Sequence, residues 1–206
     1  HEITASIMSF YDTLQTYDWE DVKKNIMDKS KNDAIDAINN PHRTLDDFMA
    51  LISPAAAPLL EDMAQEANRM TLARFGNTIQ LYIPLYVSNY CTNFCVYCGF
   101  NHDNELHRKM LTLEEVEAET QVITRWGFKH ILLVSGEAPA KTDADYYEQV
   151  IRSIRDKFSQ IALEVQPLEE AEYARLAEAG LSFVCVYQET YNEKQYPLYH
   201  PKGRKA

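Results

Sequence analysis

HILLVS, residues 130 to 135, sits between a Gly-Phe-Lys turn and the loop GEAPAK, and its reading decides the fold. A short apolar run bounded by turn residues is what a strand buried on both faces of a parallel sheet looks like. Similar runs recur on either side of it, each separated from the next by a helical pattern. Upstream, LTLEEVEAETQVITRWG reads as a helix, with Thr112 and Glu115 as a capping box and Gly127 as its stop. Before it, TIQLYIPLYVS (78–88) is β-branched and aromatic and predicts a strand, with Pro84 at its end or at an irregularity. Downstream, Asp143 to Phe158 predicts a helix, IALEVQ (161–166) a strand, Glu169 to Ala179 a helix closed by Gly180, and SFVCVYQ (182–188) a fourth strand. Alternating strands and helices with short links mean βαβ units and a parallel sheet.

A doubly wound open sheet and a (β/α) barrel both satisfy that alternation. No G-x-G-x-x-G follows the first strand, so nothing supports a dinucleotide fold. Polar residues gather instead at the C-terminal ends of successive strands: Ser88 and Asn89, Ser135 to Glu137, Gln166, then Gln188 and Glu189. In a parallel barrel those ends share one mouth, where active sites lie. The expected fold is therefore α/β, a TIM-type barrel whose N-terminal half, about four βα units, occupies residues 77–206. Four strands do not close a barrel. The expectation is a fragment of a longer protein, with completion by another chain as the alternative.

Residues 1–76 predict a helical extension. Ser9 to Lys29 and Asp33 to Ile38 are helical candidates, Thr44 is an N-cap with Asp47 at the third helical position, and Ser53-Pro54 restarts the helix. Leu59, Met63, Ala67, Met70 and Arg74 follow one face, and Gly76 stops it. There is no internal repeat, low-complexity tract or Gly/Ser linker.

The 206 residues are 46% hydrophobic with a formal net charge of −11, too apolar for a disordered chain. The acidity argues against nucleic acid or a membrane surface as the main partner, and the short basic run Lys202, Arg204, Lys205 reads as solvated. No apolar stretch is long enough to span a bilayer, residues 1–20 lack signal-peptide character, and a cytoplasmic location is expected. His1 in place of Met suggests a trimmed or tagged start.

Of four cysteines, three lie in YCTNFCVYCGF (90–100): Cys91, Cys95 and Cys98. Three clustered thiols are not a disulfide framework and point to a metal. If a 4Fe-4S cluster takes three protein thiolates, its fourth iron is left to bind a small molecule. Gly99 is expected to let the loop turn as it leaves the cluster. Zinc remains open, with Cys185, His102 or His107 as a fourth ligand; the chain would then be a zinc-stabilised binding module. Unliganded thiols are the third possibility. The spacing favours the cluster.

CTNFCVYC, with Tyr97 before the third cysteine, resembles the radical S-adenosylmethionine signature C-x3-C-x-aromatic-C, and it follows directly on a first strand. That resemblance implies a cluster on Cys91, Cys95 and Cys98 whose open iron chelates S-adenosylmethionine, which is then split to a 5′-deoxyadenosyl radical. Ser135-Gly136-Glu137 is similar to the family's Gly-Gly-Glu motif with Ser in the first place, so Glu137 and nearby backbone would hold the methionyl ammonium. Tyr97 would lie against the adenine. RFGNTIQLYIPLYVSNYC, LLVSGEAPAK, LEVQPL and VYQETYNEKQY are similar to the tyrosine lyases within that superfamily. One branch supplies dehydroglycine (2-iminoacetate) for the thiazole of thiamine. The other makes carbon monoxide and cyanide in diiron hydrogenase maturation.

DWEDVKKNI, ISPAAA and Glu164-Val165-Gln166-Pro167-Leu168 are more similar to the thiamine branch. The resemblance implies Cα–Cβ cleavage of L-tyrosine to 2-iminoacetate and p-cresol. It also implies an electron donor such as flavodoxin or ferredoxin, and thiazole synthase as a partner. Ser135, Gly136, Glu164, Gln166 and Gln188 join Tyr97 and Glu137 as expected cofactor contacts, Glu189 at the fourth strand's end could likewise reach cofactor or substrate, and Tyr86, Ser88 and Asn89 are weaker candidates. Tyr187 and Tyr191 read as packing residues. No catalytic residue is named, because the groups that bind the substrate carboxylate are expected in the other half. The 206-residue chain alone is expected to be inactive.

Overall fold

The computed structural model describes residues 9–206; His1 and the start of the 1–20 stretch lie outside them. The chain forms two compact units, the first ending at Ile79 and the second beginning at Gln80.

The first unit is helical: α1 (Phe10–Leu14), α2 (Trp19–Met27), α3 (Lys31–Asn39), α4 (Leu45–Leu51), a 3-10 helix (Pro54–Leu59) and α5 (Leu60–Phe75). The single helix expected over Ser9 to Lys29 is thus two, because Asp18 caps a new start by accepting from Glu20 and Asp21 N–H. The second candidate is longer than expected, since Ser30 and Asp33 form a capping box. Thr44 and Asp47 cap α4 as the sequence indicates. The restart after Ser53 is a 3-10 turn before it becomes α-helical, with Pro54 and Pro58 each lacking a donor. A small core of Ala34, Ala56 and Leu59 holds the unit. Arg43 ties it together by donating to the Ala37 and Ile38 carbonyls at the end of α3 and to Glu66 on α5.

The second unit runs β1 (Ile83–Ser88), α6 (Leu113–Arg125), β2 (His130–Ser135), α7 (Ala144–Ile154), β3 (Gln160–Glu164), α8 (Glu170–Ala179), β4 (Phe183–Val184) and α9 (Tyr196–Tyr199). The sheet is parallel throughout, in the order β1-β2-β3-β4. One core joins Leu85, Val87, Ile131, Leu133, Ile161 and Leu163 of the strands to Val116 and Ile123 of α6, Tyr147, Val150, Ile151 and Ile154 of α7, and Leu176 and Ala179 of α8. All three helices therefore cover the same face. A doubly wound sheet puts helices on both faces and reverses strand order at a switch point. Sequential order with helices on one side is the arc of a barrel.

The strands are shorter than the sequence suggests. Residues 78–82 make no ladder, so β1 begins at Ile83; Pro84 lies near its start, which an edge strand tolerates. β3 ends at Glu164, after which the chain bends through Val165 and Gln166. Beyond Cys185, whose N–H still donates to Leu163 O, residues 186–188 thus have no neighbouring ladder. The helix expected over 143–158 ends at Ile154, with Asp143 as its cap. β1 carries a bulge between Tyr86 and Ser88 where it approaches the cysteines. Its end also pairs antiparallel with a returning segment through Ser88 and Met110.

Candidate functional site

Bulge, cysteine loop and returning segment form one construction at the C-terminal end of β1. Asn89 closes the base of the loop with its side chain, donating to His107 O at 2.8 Å and accepting from Lys109 N–H at 2.7 Å. Arg108 fills the middle. Its guanidinium donates to Asn89 O at 2.7 Å, Phe100 O at 2.9 Å and Asn101 O at 2.6 Å, and lies 3.4 Å from the His102 and Asn104 carbonyls. A planar fork with five N–H groups suits a ring of carbonyls that no helix or strand satisfies. Asn101 and Asn104 side chains donate to the Cys95, Cys98 and Gly99 carbonyls, giving the turn its shape. Gly99 does not set that shape: among the glycines with positive φ it is absent, and a Cβ there would meet open space.

The loop is docked onto the end of β2. Thr92 donates to Glu137 O through its N–H at 2.9 Å and its hydroxyl at 3.0 Å. Gly136 lies so close that a Cβ would stand 2.4 Å from Tyr90 O and 2.9 Å from Cys91 Cβ. That close approach explains the glycine and fixes Cys91 against the Ser-Gly-Glu turn. The Glu137 carboxylate accepts from Asn93 Nδ2 at 2.6 Å on one oxygen and from Arg204 Nε at 2.8 Å on the other. Two carboxylate oxygens offer about four acceptor directions, so capacity remains for a ligand cation.

Cys95 is buried, while Cys91, Cys98 and Cys185 are half-buried and all four are free. Burial pushes the Cys95 thiol up, against the pull of the Lys205 charge. Among the described residues, no three His, Cys, Asp or Glu side chains converge tightly enough to hold one metal ion. That holds for Cys91, Cys95 and Cys98 as it does for these with Cys185, His102 or His107. His102 instead packs against Phe94 at 4.8 Å, and Cys185 lies on the sheet in a concavity with Glu164 and His130. A cuboidal cluster asks for something different: one sulfur at each of three separate corners, all from thiolates. Three free cysteines on one braced loop fit that donor set.

Tyr97 is half-exposed, and its hydroxyl reaches the fully buried His200 Nε2 at 2.7 Å. Burial and neighbouring Glu189 hold the phenol well above its ordinary range, so it stays neutral. Burial would raise Glu189, but the Lys205 ammonium, donating to it at 2.7 Å, wins and holds it at about 2.

The other expected contacts are spread more widely. Ser135 Oγ lies 2.6 Å from Tyr147 OH and donates to Gly136 O. Gln166 is buried, accepting from Tyr147 OH at 3.2 Å and donating to Thr142 O at 2.7 Å, so both ends of its amide serve the fold. Gln188 donates to Thr190 O nearby. Glu164 is half-buried, which raises its pKa, and it lines a concavity of about 300 Å3 on the sheet face away from the helices. Tyr187 lines the same concavity; Tyr191 is exposed. Tyr86 packs edge-on against Phe100, and Ser88 accepts from Tyr90 N–H.

Asn93, Arg108, His200, Arg204 and Lys205 were not singled out for the site. Arg204 and Lys205 belong to the run that reads as solvated, yet they pair with Glu137 and Glu189.

The family model for the radical SAM superfamily matches residues 85–206. The chain is 46% identical over 96% of its length to 2-iminoacetate synthase of Escherichia coli, of which it covers 52%. The solved structure of HydG, a maturase of the FeFe-hydrogenase, superposes with a TM-score of 0.85 at 30% identity over 91% of this chain and 44% of that one. Methylornithine synthase PylB superposes with a TM-score of 0.67 at 26% identity, over 84% of this chain and 52% of that one. The chain spans about half the length of the curated relatives it matches. With a three-thiol loop set at the end of the first strand of a barrel arc, the chain belongs to the radical SAM superfamily, whose members work with a 4Fe-4S cluster and S-adenosylmethionine.

Proposed function

We propose that this protein is a radical SAM carbon–carbon lyase of the 2-iminoacetate synthase type, cleaving L-tyrosine between Cα and Cβ to 2-iminoacetate and p-cresol. The observation that carries the reading is 46% identity along 96% of the chain to a 2-iminoacetate synthase. The second reading, a tyrosine lyase of hydrogenase maturation, is favoured by the HydG superposition, at the lower identity of 30%. The product would serve the thiazole of thiamine, with thiazole synthase as its consumer, flavodoxin or ferredoxin as electron donor and the cytoplasm as location. No helix among the described residues is long and apolar enough to cross a membrane. Residues 1–76 are assigned as a helical extension and 77–206 as the first half of the catalytic barrel.

When bound, the cluster would supply an electron for reductive cleavage of S-adenosylmethionine, and the pair would supply the radical chemistry of the reaction. Cys91, Cys95 and Cys98 provide the thiolates, and Arg108 keeps their loop in one shape. Glu137 would accept the methionyl ammonium with the capacity that Asn93 and Arg204 leave free. The half-exposed Tyr97 ring would lie against the adenine. Ser135 and Gly136 act through backbone, Gly136 by letting the loop come close. Glu164 and Gln188 are assigned to the cofactor side of the barrel mouth, and Gln166 supports that side through Tyr147. A radical must meet substrate before solvent, so reactants have to be enclosed at near contact. In residues 1–206 alone the sheet face opposite the helices leaves Tyr86 and Phe183 about half-exposed, and turnover is expected only from the intact polypeptide.

The test is anaerobic reconstitution of that polypeptide. About four irons per chain bound by cysteine sulfur, a spectrum altered by S-adenosylmethionine, and p-cresol released from L-tyrosine are the expected results. A cluster indifferent to S-adenosylmethionine rejects the reading. Cyanide and carbon monoxide among the products select the second.

A further inference from the structure

Residues 196–206 lie along the cysteine loop as a strap. Phe94 N–H donates to Lys202 O and Val96 N–H to Tyr199 O, both at 3.1 Å, and Lys205 N–H donates to Asn93 Oδ1 at 3.0 Å. Gly203 crosses with φ +105°, and a Cβ on it would stand 2.7 Å from Asn93 Oδ1. Beneath the strap His200 has no exposed surface.

The hydrogen bonds fix the imidazole's tautomer. Nδ1 is 3.0 Å from Tyr196 O, and a carbonyl only accepts, so Nδ1 carries the ring proton. In the neutral ring Nε2 is then an acceptor, and Tyr97 OH donates into it at 2.7 Å. The Tyr97 ring meets the imidazole edge-on at 5.6 Å, and Tyr196 stacks against it at 4.1 Å. Glu189 lies 3.5 Å from Nε2 and is itself held by Lys205 at 2.7 Å. A half-exposed tyrosine on a loop would otherwise sample several rotamers. Here its far end is tied to a buried acceptor.

We infer that His200 is a positioning residue that locks the Tyr97 ring as a preformed seat for the adenine of S-adenosylmethionine. The inference rests on the assignment of Tyr97 as the adenine contact. Preorganising a contact raises affinity by removing the ordering that binding would otherwise require. Loss of one hydrogen bond of this kind should weaken S-adenosylmethionine binding about 5- to 10-fold.

Two amides separate the two nitrogens. Gln at position 200 can place its oxygen near Nε2 and keep an acceptor for Tyr97; Asn keeps a donor for Tyr196 O and loses that acceptor. In the reconstituted intact protein, equilibrium dialysis of S-adenosylmethionine should give His200→Gln within about twofold of the wild type. His200→Asn and Tyr97→Phe should each be about 5- to 10-fold weaker, with iron content unchanged and the S-adenosylmethionine-dependent change in the reduced cluster's EPR spectrum diminished. The double variant should be no weaker than either single one, because both remove the same bond. Tyr97→Phe binding as tightly as the wild type with full iron overturns the inference, as do losses that multiply in the double variant. Should neither His200 variant accumulate, Tyr97→Phe alone decides. A wild-type protein that takes up no iron overturns the cluster reading instead, a result distinct from all of these.

Discussion

Replacing Arg108 by Ala should release the cysteine loop without unfolding the sheet. Three of its contacts are short, at 2.7, 2.9 and 2.6 Å to the Asn89, Phe100 and Asn101 carbonyls. Hydrogen bonds from a charged group contribute about 1.5–3 kcal/mol each. Arg108 is only half-buried and the freed carbonyls regain water, so the net effect falls to about 2–3 kcal/mol. At about 1.4 kcal/mol per decade, that is roughly a 30- to 150-fold shift toward the open loop. Amide hydrogen exchange in the intact protein reads it directly. Residues 89–109 should exchange faster by that factor while β2 and α7 stay protected, and iron uptake on reconstitution should fall with it. Arg108→Lys should recover only a minor part, since a point charge cannot span carbonyls that a planar fork reaches together. Unchanged exchange in the loop, or full recovery by Lys, refutes the reasoning.

Gly136→Ala should lower stability by about 1–3 kcal/mol and cut iron uptake, because its Cβ would overlap Tyr90 O and Cys91 Cβ; Gly99→Ala, which meets open space, serves as the silent control. Tyr147→Phe should cost about 1–2 kcal/mol in urea denaturation by stripping buried Gln166 of a donor, and a change near zero would show that water replaces the hydroxyl. Glu189 is depressed from 4.5 to about 2 on folding, with Lys205, Tyr97 and His200 facing it. A depressed carboxylate stabilises above its unfolded value, and the benefit fades as pH falls from 4.5 through 2. Protection of residues 196–206 should fade over that window in the wild type and be already low in Glu189→Gln.

The alternation of strand and helix was legible because burial imposes it: Ile131 and Leu133 face helices, and Val116 and Ile123 recur at helical spacing. Capping boxes at Thr44 and Thr112 could be read letter by letter, since the partner lies three residues away. Strand ends could not, because a ladder stops where the neighbour stops, and β4 is short because β3 beside it ends at Glu164 and the chain then bends through Val165 and Gln166. The site divides the same way. Cysteine spacing is local and could be read directly. Gln166 has the right residue type at the right strand end, yet its amide is taken up by Tyr147 and Thr142. Arg204 and His200 are far from the cysteines in sequence, and nothing in a linear reading says that the chain comes back.

The returning segment that pairs with the end of β1 bears on assembly. Leu111 N–H donates to Val87 O at 2.8 Å and Asn89 N–H to Lys109 O at 3.1 Å, while Tyr146 OH reaches Leu111 O at 2.9 Å. The upper edge of β1 is thus spoken for, and only the stretch from Ile83 to Tyr86 is left for another strand. Whatever strand is added there is limited to a short register low on the sheet, and it cannot slide upward to displace the loop. The same hydrogen bonds that shape the cysteine turn therefore also act as a stop against misregistered pairing, so that joining a further strand and building the cysteine turn do not compete for the same backbone groups.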